Sequence, residues 1–372
     1  RGLFKLSTLP ASLRNMADLF AGYVPGSDPV TDTVNRIHFQ ANLHRVNPIL
    51  DFFFPKIQIA EQSHIHGSFV PAEELYDASG SFSELQIGPV TWTNAELLAG
   101  TMNGEFDFRF HSDKMVYGLN YTLENQQIHF FTSNDTSHLD IKWDNQSAQS
   151  YRGELQLSGT FRADSLAKRA LLADVKPSEF YINNERWMVD PSSFLLKKQY
   201  LSVDSLSLRS HEKHMLADGT VAQGGNQDFK LDFRNLNLDE MAYLIGSQTK
   251  LRGNMTGELI YQEENGLPYI FSDIDVDTLY FNEQLMGATS LKAAWNENRR
   301  TIRMLIQSRL EELNTIEVDG EYTPATKAVD FEIRLNEFQL QSLNHYVESL
   351  LDDLSGSANV ALNLDGTLEQ PK

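Results

Sequence analysis

The chain has 372 residues, a formal net charge of −20 and no cysteine. This acidic balance argues against nucleic acid and against an anionic membrane surface as partners, because both carry negative charge themselves. The absence of cysteine excludes disulfides, a thiolate nucleophile and a cysteine-ligated metal. No run approaches the roughly twenty apolar residues of a membrane-spanning helix.

The predicted elements are mostly short strands. Apolar residues at helical spacing predict a helix at about Leu13–Ala21, before the turn at Pro25 and Gly26. From Ile57 onward, apolar and polar residues alternate with a period of two, which predicts strands joined by polar turns. A second short helix is predicted at Asp164–Ala173, and a change of apolar phase predicts a bulge near Ser205.

One order of elements recurs along the chain. Residues 329–368 predict a strand, a short amphipathic helix and a second strand, and the same order is found at 229–261 and, more loosely, at 37–69. The starting positions differ by 192 and 100 residues. Self-similarity at a spacing of about a hundred residues indicates a repeat architecture.

The repeated segments carry a resemblance to a known family. The return strands LRGNMTGEL and LSGSANVALNLDGTLEQPK, together with residues 178–221, resemble the AsmA/TamB family of large periplasmic proteins (translocation and assembly module). The resemblance covers most of Phe106–Lys372. It implies a mainly β fold: an elongated, curled antiparallel sheet, or β-taco, built from repeats with a few short capping helices.

We expect one continuous repeat array with three modules. These are an N-terminal β-rich module with short helices (1–125), a middle β-groove module (126–262) and a C-terminal β-groove module (263–372). Because the chain ends at Lys372, where another strand is expected, we interpret it as a fragment of a longer polypeptide.

The apolar face of such a sheet is the predicted functional surface. Alternation places large apolar side chains on one face and charged residues on the other. The alternative interpretation is an ordinary hydrophobic core, in which two such apolar faces pack against each other. We expect instead a groove that meets a lipid, lined by Phe106, Phe108, Phe110, Leu231, Phe233, Leu259, Phe331, Ile333, Leu335, Val360, Leu362 and Leu364.

Candidate sites for chemistry are weak. His64 and His66 lie on one side of a strand without a suitably spaced third ligand, and the spacing of His211 and His214 is not that of a zinc protease. The run from Asp273 to Asp277 lacks the glycine of a calcium loop and is explained as the polar face of a strand. No nucleophile elbow or phosphate loop is present. We therefore predict no enzyme, no cofactor and no metal site.

The resemblance implies a segment of a periplasm-spanning protein that passes phospholipid between the inner and outer membranes of a Gram-negative bacterium. It also implies an inner-membrane anchor outside this fragment, and an outer-membrane barrel protein of the BamA superfamily as a partner through regions outside it. The alternative is a scaffold that assembles outer-membrane β-barrel proteins by strand addition. A secreted carbohydrate-active sheet protein ranks last.

Overall fold

A computed structural model of the protein describes residues 2–3, 35–70, 73, 75–102, 105–117, 121–146, 151–163, 169–182, 184–222, 226–239, 250–264, 266–344, 354–367 and 370–371. The predicted mainly β fold is confirmed, since strands form most of these residues and every described pairing is antiparallel. The chain divides into two compact units, Arg1–Lys198 and Gln199–Lys372.

The first unit contains strands that pair mainly with their neighbours in sequence. The chain order is β1 (Gly2–Leu3), β2 (Arg36–Leu43), the helix α1 (Asn47–Phe53), β3 (Ile57–Ile59), β4 (Ser63–Val70), β5 (Leu75–Ile87), β6 (Val90–Met102), β7 (Glu105–Tyr117), β8 (Tyr121–Ser133), β9 (Thr136–Asp144), β10 (Arg152–Ala163), β11 (Arg169–Val175), β12 (Ser178–Ile182), β13 (Glu185–Val189) and β14 (Ser192–Lys197). From β5 to β10 each strand pairs with the one before it.

The predicted helix at Asp164–Ala173 is wrong over its described part. Residues from Arg169 onward form β11, which pairs with β10 on one side and with β14 on the other. Alanine and leucine favour a helix locally, but two neighbouring strands offer a complete set of backbone partners and override that preference.

The second unit is a meander with two interruptions. Its strands are β15 (Tyr200–Ser210), β16 (Lys213–Ala222), β17 (Gln227–Asn237), β18 (Leu251–Arg252), β19 (Asn254–Glu264), β20 (Leu267–Phe281), β21 (Gln284–Asn296), β22 (Thr301–Leu310), β23 (Leu313–Thr323), β24 (Ala328–Gln339), β25 (Ser357–Thr367) and β26 (Gln370–Pro371). A short 3₁₀ helix, Leu340–Leu343, follows β24. The interruptions lie between β17 and β18 and between β24 and β25.

The predicted repeat is visible as a strand, a helical insert and an antiparallel return strand. The pairs that flank an insert are β2 with β4, β17 with β19, and β24 with β25. The insert of the first copy begins with α1, and that of the second begins with helical residues at Leu238 and Asp239. The insert of the third copy begins with the 3₁₀ helix. In the last two copies the equivalent N–H groups of Leu238 and Leu340 each donate to a glycine carbonyl at 2.9 Å. The predicted helix at Leu13–Ala21 lies outside the described residues.

The bulge predicted near Ser205 is confirmed, and it has equivalents in other strands. The register shifts between Val203 and Leu206 in β15, and similar shifts occur in β17 and β24. The left-handed residues at these places are Ser205, Asn235 and Glu337, with φ of 56°, 53° and 51°. Their N–H groups donate to side chains on the following paired strand, namely Asp218 at 3.0 Å, Thr256 at 2.9 Å and Asn359 at 2.8 Å. Such bulges bend a strand and increase its twist.

The predicted module boundaries stay a prediction. The position between residues 125 and 126 lies inside β8, and the position between 262 and 263 lies inside β19. The boundary between the two compact units instead follows Lys198, in the turn between β14 and β15.

Candidate functional site

A continuous row of apolar residues crosses the second unit. Cross-strand neighbours in an antiparallel sheet have side chains on the same face. Following the register strand by strand, the row, here named the Ile333 row, consists of Leu208, Met215, Phe233, Gly257, Ile274, Leu291, Ile306, Val318, Ile333 and Leu362. No member carries a polar side chain, although the row spans strands from β15 to β25.

Two further rows flank the Ile333 row on the same face. One runs Leu206, Ala217, Leu231, Leu259, Ser272, Ala293, Met304, Gly320, Phe331 and Leu364. The other runs Leu236, Met255, Val276, Thr289, Ser308, Ile316, Leu335 and Val360. We name the three rows together the unit 2 apolar face.

The structure brings all the predicted groove residues of the second unit onto the unit 2 apolar face. Phe233 is buried, with 7% of its surface exposed, and Leu362 is 52% exposed. The others are half-buried, namely Leu231, Leu259, Phe331, Ile333, Leu335, Val360 and Leu364. A half-buried side chain packs against its neighbours but keeps part of its surface in contact with solvent. Most of these positions therefore retain apolar area that a ligand could cover.

Gly320, Thr289 and Ser308 fit into the unit 2 apolar face without leaving unpaired polar groups. A Cβ at Gly320 would lie 2.4 Å from Cδ1 of Phe331, so the aromatic ring occupies the space that a side chain would need. The buried hydroxyls of Thr289 and Ser308 lie 2.8 Å apart and hydrogen-bond to each other. Their polarity is thus satisfied within the sheet.

One end of the unit 2 apolar face is closed by the protein itself. The Asn282 side chain, in the turn after β20, donates to the carbonyl oxygen of Ser342 at 2.7 Å. The Gln284 side-chain oxygen accepts from the hydroxyl of Ser342 at 3.1 Å. These bonds join segments that β22 and β23 separate in the sheet, so the sheet curls here. Met286 and Phe338 are buried at this end, with 0% and 5% exposure.

The opposite face of the second unit carries ion pairs. Lys230 lies 2.8 Å from Glu258, Lys292 lies 3.5 Å from Asp273, and Arg303 lies 3.0 Å from Asp319. The hydrogen bond to the Glu258 carboxylate, with its charge, raises the pKa of Lys230. The interpretation of Asp273, Asp275 and Asp277 as the polar face of a strand is confirmed, because all three are exposed there. This face is hydrated while the other is apolar.

The first unit has an apolar face of its own. The register connects Phe108 with Phe39, Gly67, Ala78, Ala99, Phe130, Leu139, Leu157 and Val175. A parallel row connects Phe110 with Ala41, Ile65, Gly80, Leu97, Ile128, Ile141 and Leu155. Phe106, Phe108 and Phe110 therefore share a face, as predicted from their alternation.

Part of this face in the first unit is packed against the protein. Phe110 belongs to a buried cluster with Phe82, Leu85 and Ala95, and the ring of Trp92 meets it edge-on at a centroid distance of 5.6 Å. Phe106 is buried as well, with 7% exposure, whereas Phe108 is half-buried. Of the three predicted groove residues in this unit, Phe108 keeps the most surface for a ligand.

The polar face of the first unit holds a small ionic cluster that the sequence analysis missed. The Asp107 carboxylate lies 2.8 Å from Nε2 of His129 and 2.9 Å from Nε of Arg109. Burial raises the pKa of Asp107, but hydrogen bonds from His129 and Arg109 and their charges outweigh this effect and leave the pKa below its ordinary value. An open depression of about 590 Å³ lies beside the cluster. The only feature of the sequence that pointed to this ionic cluster was the alternation of Asp107 and Arg109 with the phenylalanines of β7.

Two histidine pairs, His64 with His66 and His211 with His214, are the metal-ligand candidates considered in the sequence. His64 and His66 are exposed, and a ring nitrogen of His66 lies 2.8 Å from the hydroxyl of Ser79. His211 stands in the turn after β15, and the ring of His214 faces Ser207 at 3.4 Å. Within the part of the chain that the structure describes, no group of three or more histidine or carboxylate side chains is arranged to hold a metal ion.

None of the helices in the described part of the chain combines the length and the hydropathy that a membrane-spanning helix requires. Comparison of the chain with models of protein families, with characterised proteins and with solved structures gave no match.

Proposed function

We propose that this chain is a segment of a lipid conduit of the AsmA/TamB kind, in which phospholipid acyl chains lie on the apolar sheet faces while the headgroups stay in water. The observation that supports the proposal most is the Ile333 row. It is apolar over its whole length and its members are mostly half-buried. A core built only for stability would bury such a row more completely.

The physical reason for such a face is the cost of moving an acyl chain through water. Each exposed methylene costs about 0.8 kcal/mol, so a chain of roughly sixteen carbons meets a barrier above about 10 kcal/mol. A repeated apolar lining removes most of this cost at every position. Because neighbouring positions are chemically alike, movement along the lining needs no covalent step and no nucleotide.

The conduit proposal places the protein in the periplasm of a Gram-negative bacterium. The inner-membrane anchor and the contact with a BamA-superfamily barrel protein belong to the same proposal and would use regions outside this chain. The support for them is the resemblance of the repeated return strands, which begin at Leu251 and at Leu354.

Native mass spectrometry of the purified chain tests the proposal. We expect co-purified phospholipid on the wild type and its loss from Ile333→Asp, because a charged group within the Ile333 row would have to lose water to a bound tail. The matched control is Asp319→Ala on the polar face, where Asp319 pairs with Arg303 at 3.0 Å. A wild type without lipid, or equal lipid on Ile333→Asp, would count against a conduit.

A further inference from the structure

An exposed apolar tip stands out in the first unit. Helix α1 and the residue after it present Ile49, Phe52 and Phe54 with 63%, 80% and 59% of their surfaces exposed. Pro48 and Pro55 at either end are exposed too. Single exposed apolar residues are ordinary, but a contiguous group of large ones marks a surface that meets another apolar phase. We name residues 48–55 the α1 tip.

The α1 tip is held firmly on the sheet. The Asn47 side chain accepts a hydrogen bond from the N–H of Ile59 at 2.9 Å. The N–H of Ile57 donates to the carbonyl of Phe54 at 2.8 Å. Ile57 and Ile59 belong to β3, which pairs with β5. Because both sides of the helix are tied to a paired strand, the sheet presents the tip in a fixed orientation.

The charges around the α1 tip differ in sign from those of the whole chain. Arg45 and Lys56 lie on its two sides, and Asp51 is the one acidic residue from 44 to 56, whereas the chain as a whole carries −20. Arg45 also lies 3.4 Å from the Glu61 carboxylate, but its side chain stays 89% exposed. Arg45, Asp51 and Lys56 are all exposed. An apolar tip with cations at its base is the arrangement that enters a bilayer surface, since the cations reach lipid phosphates while apolar side chains enter the acyl region.

We propose that the α1 tip inserts into the surface of a zwitterionic phospholipid bilayer. Seven helical residues span about 10 Å, which suits the headgroup and upper acyl region but is too short to cross the membrane. A zwitterionic surface is specified because the acidic remainder of the chain is repelled by an anionic one.

The tip also adjoins the apolar face of its unit. Ile57 and Ile59, which follow the tip directly, pack against the buried cluster of Phe82, Leu85 and Phe110. A bilayer-bound tip would thus bring the surface of a membrane next to apolar side chains of the sheet. The insertion itself does not depend on the conduit proposal, because a protein that carries no lipid can still bind a bilayer.

Co-sedimentation with phosphatidylcholine vesicles tests the insertion. We expect the wild-type chain to bind, Phe52→Asp to bind at least about tenfold more weakly, and Phe52→Leu to retain binding because it keeps an apolar side chain. The matched control is Leu98→Asp, since Leu98 is 58% exposed but lies in β6. Circular dichroism of each variant checks that the fold is kept.

Three outcomes would overturn the proposal. They are a wild type that stays in the supernatant, a Phe52→Asp variant that binds as well as the wild type, and a Leu98→Asp variant that loses binding equally. If the wild type is instead a dimer that Phe52→Asp converts to a monomer, without vesicle binding, the tip joins two copies of this chain. Vesicle binding by Ile333→Asp distinguishes the tip from the conduit, because that change leaves the tip intact.

Discussion

A charge placed in the Ile333 row distinguishes an open face from a sealed core. Ile333 is half-buried, and its cross-strand neighbour Leu362 is 52% exposed. A carboxylate at position 333 can therefore reach water past Leu362. Ile333→Asp should lose part of the burial energy of one isoleucine, about 1–2 kcal/mol, without the larger cost of a buried unpaired charge.

Phe233 in the same row provides the contrasting case. Its side chain is 7% exposed and its cross-strand neighbour is Gly257, which offers no side chain to move aside. Phe233→Asp removes a buried aromatic ring and places a charge in the space it leaves, at a cost of about 4 kcal/mol or more. The two substitutions thus differ by at least about 2 kcal/mol if the half-buried positions are open.

Urea unfolding followed by circular dichroism measures the difference. With a denaturant dependence of about 2 kcal/mol per molar, Ile333→Asp should lower the midpoint by about 0.5–1 M and Phe233→Asp by about 2 M. Ile333→Ala is the uncharged control and should resemble Ile333→Asp. If Ile333→Asp lowers the midpoint as much as Phe233→Asp does, the row is a sealed core and the reasoning for a groove fails.

Three further changes test how the sheet is built. Gly257 has φ of +153°, and a Cβ added there would lie 2.2 Å from a carbonyl oxygen of the next strand. Gly257→Ala should therefore lower the free energy of unfolding by about 2–4 kcal/mol. Gly266→Ala should cost less, because no atom lies within 4 Å of a Cβ added at Gly266. Asp218→Ala removes the acceptor for the N–H of Ser205 and should cost about 1 kcal/mol in urea unfolding. The lowered pKa of Asp107 means that its ionised form stabilises the fold above its ordinary pKa and that this stability is lost as the pH falls through the lowered value. Asp107→Asn should therefore be less stable than the wild type at about pH 7, with the difference disappearing once the pH falls below the lowered pKa of Asp107.

Each of these expectations has a result that contradicts it. Equal midpoints for Gly257→Ala and Gly266→Ala would mean that the close approach of strands at Gly257 is not rigid. An unchanged midpoint for Asp218→Ala would mean that the bulge at Ser205 does not depend on its acceptor. If Asp107→Asn is still less stable than the wild type at low pH, the loss of stability comes from changed packing and not from the missing charge of Asp107.

The sequence was sufficient for the parts of the fold that depend on local alternation. Phe331, Ile333 and Leu335 alternate with charged residues, and the structure places them on one face because side chains of a strand point alternately to its two sides. The bulge at Ser205 was also predictable, since an extra residue shifts the apolar phase. The repeated order of strand, insert and return strand was also predictable, because its strands show the same local alternation of apolar and polar residues.

Other features depend on contacts that a single sequence does not display. Arg169–Val175 has the composition of a helix and becomes β11 because β10 and β14 flank it. The burial of Phe110 against Phe82 and Leu85 depends on how strands far apart in sequence pack. Alternation assigns a residue to a face but does not say whether that face is covered. For this reason Phe106, Phe108 and Phe110 looked equivalent in the sequence and differ in the structure.

The nearest-neighbour pairing of the strands has a consequence for synthesis. From β20 to β25 each strand pairs with the strand made just before it. Local pairings of this kind form without closing long loops, so the second unit can assemble progressively as the chain leaves the ribosome or a translocation channel. Each newly emerged strand then protects the edge of its predecessor, and at any moment a single growing edge is exposed to aggregation.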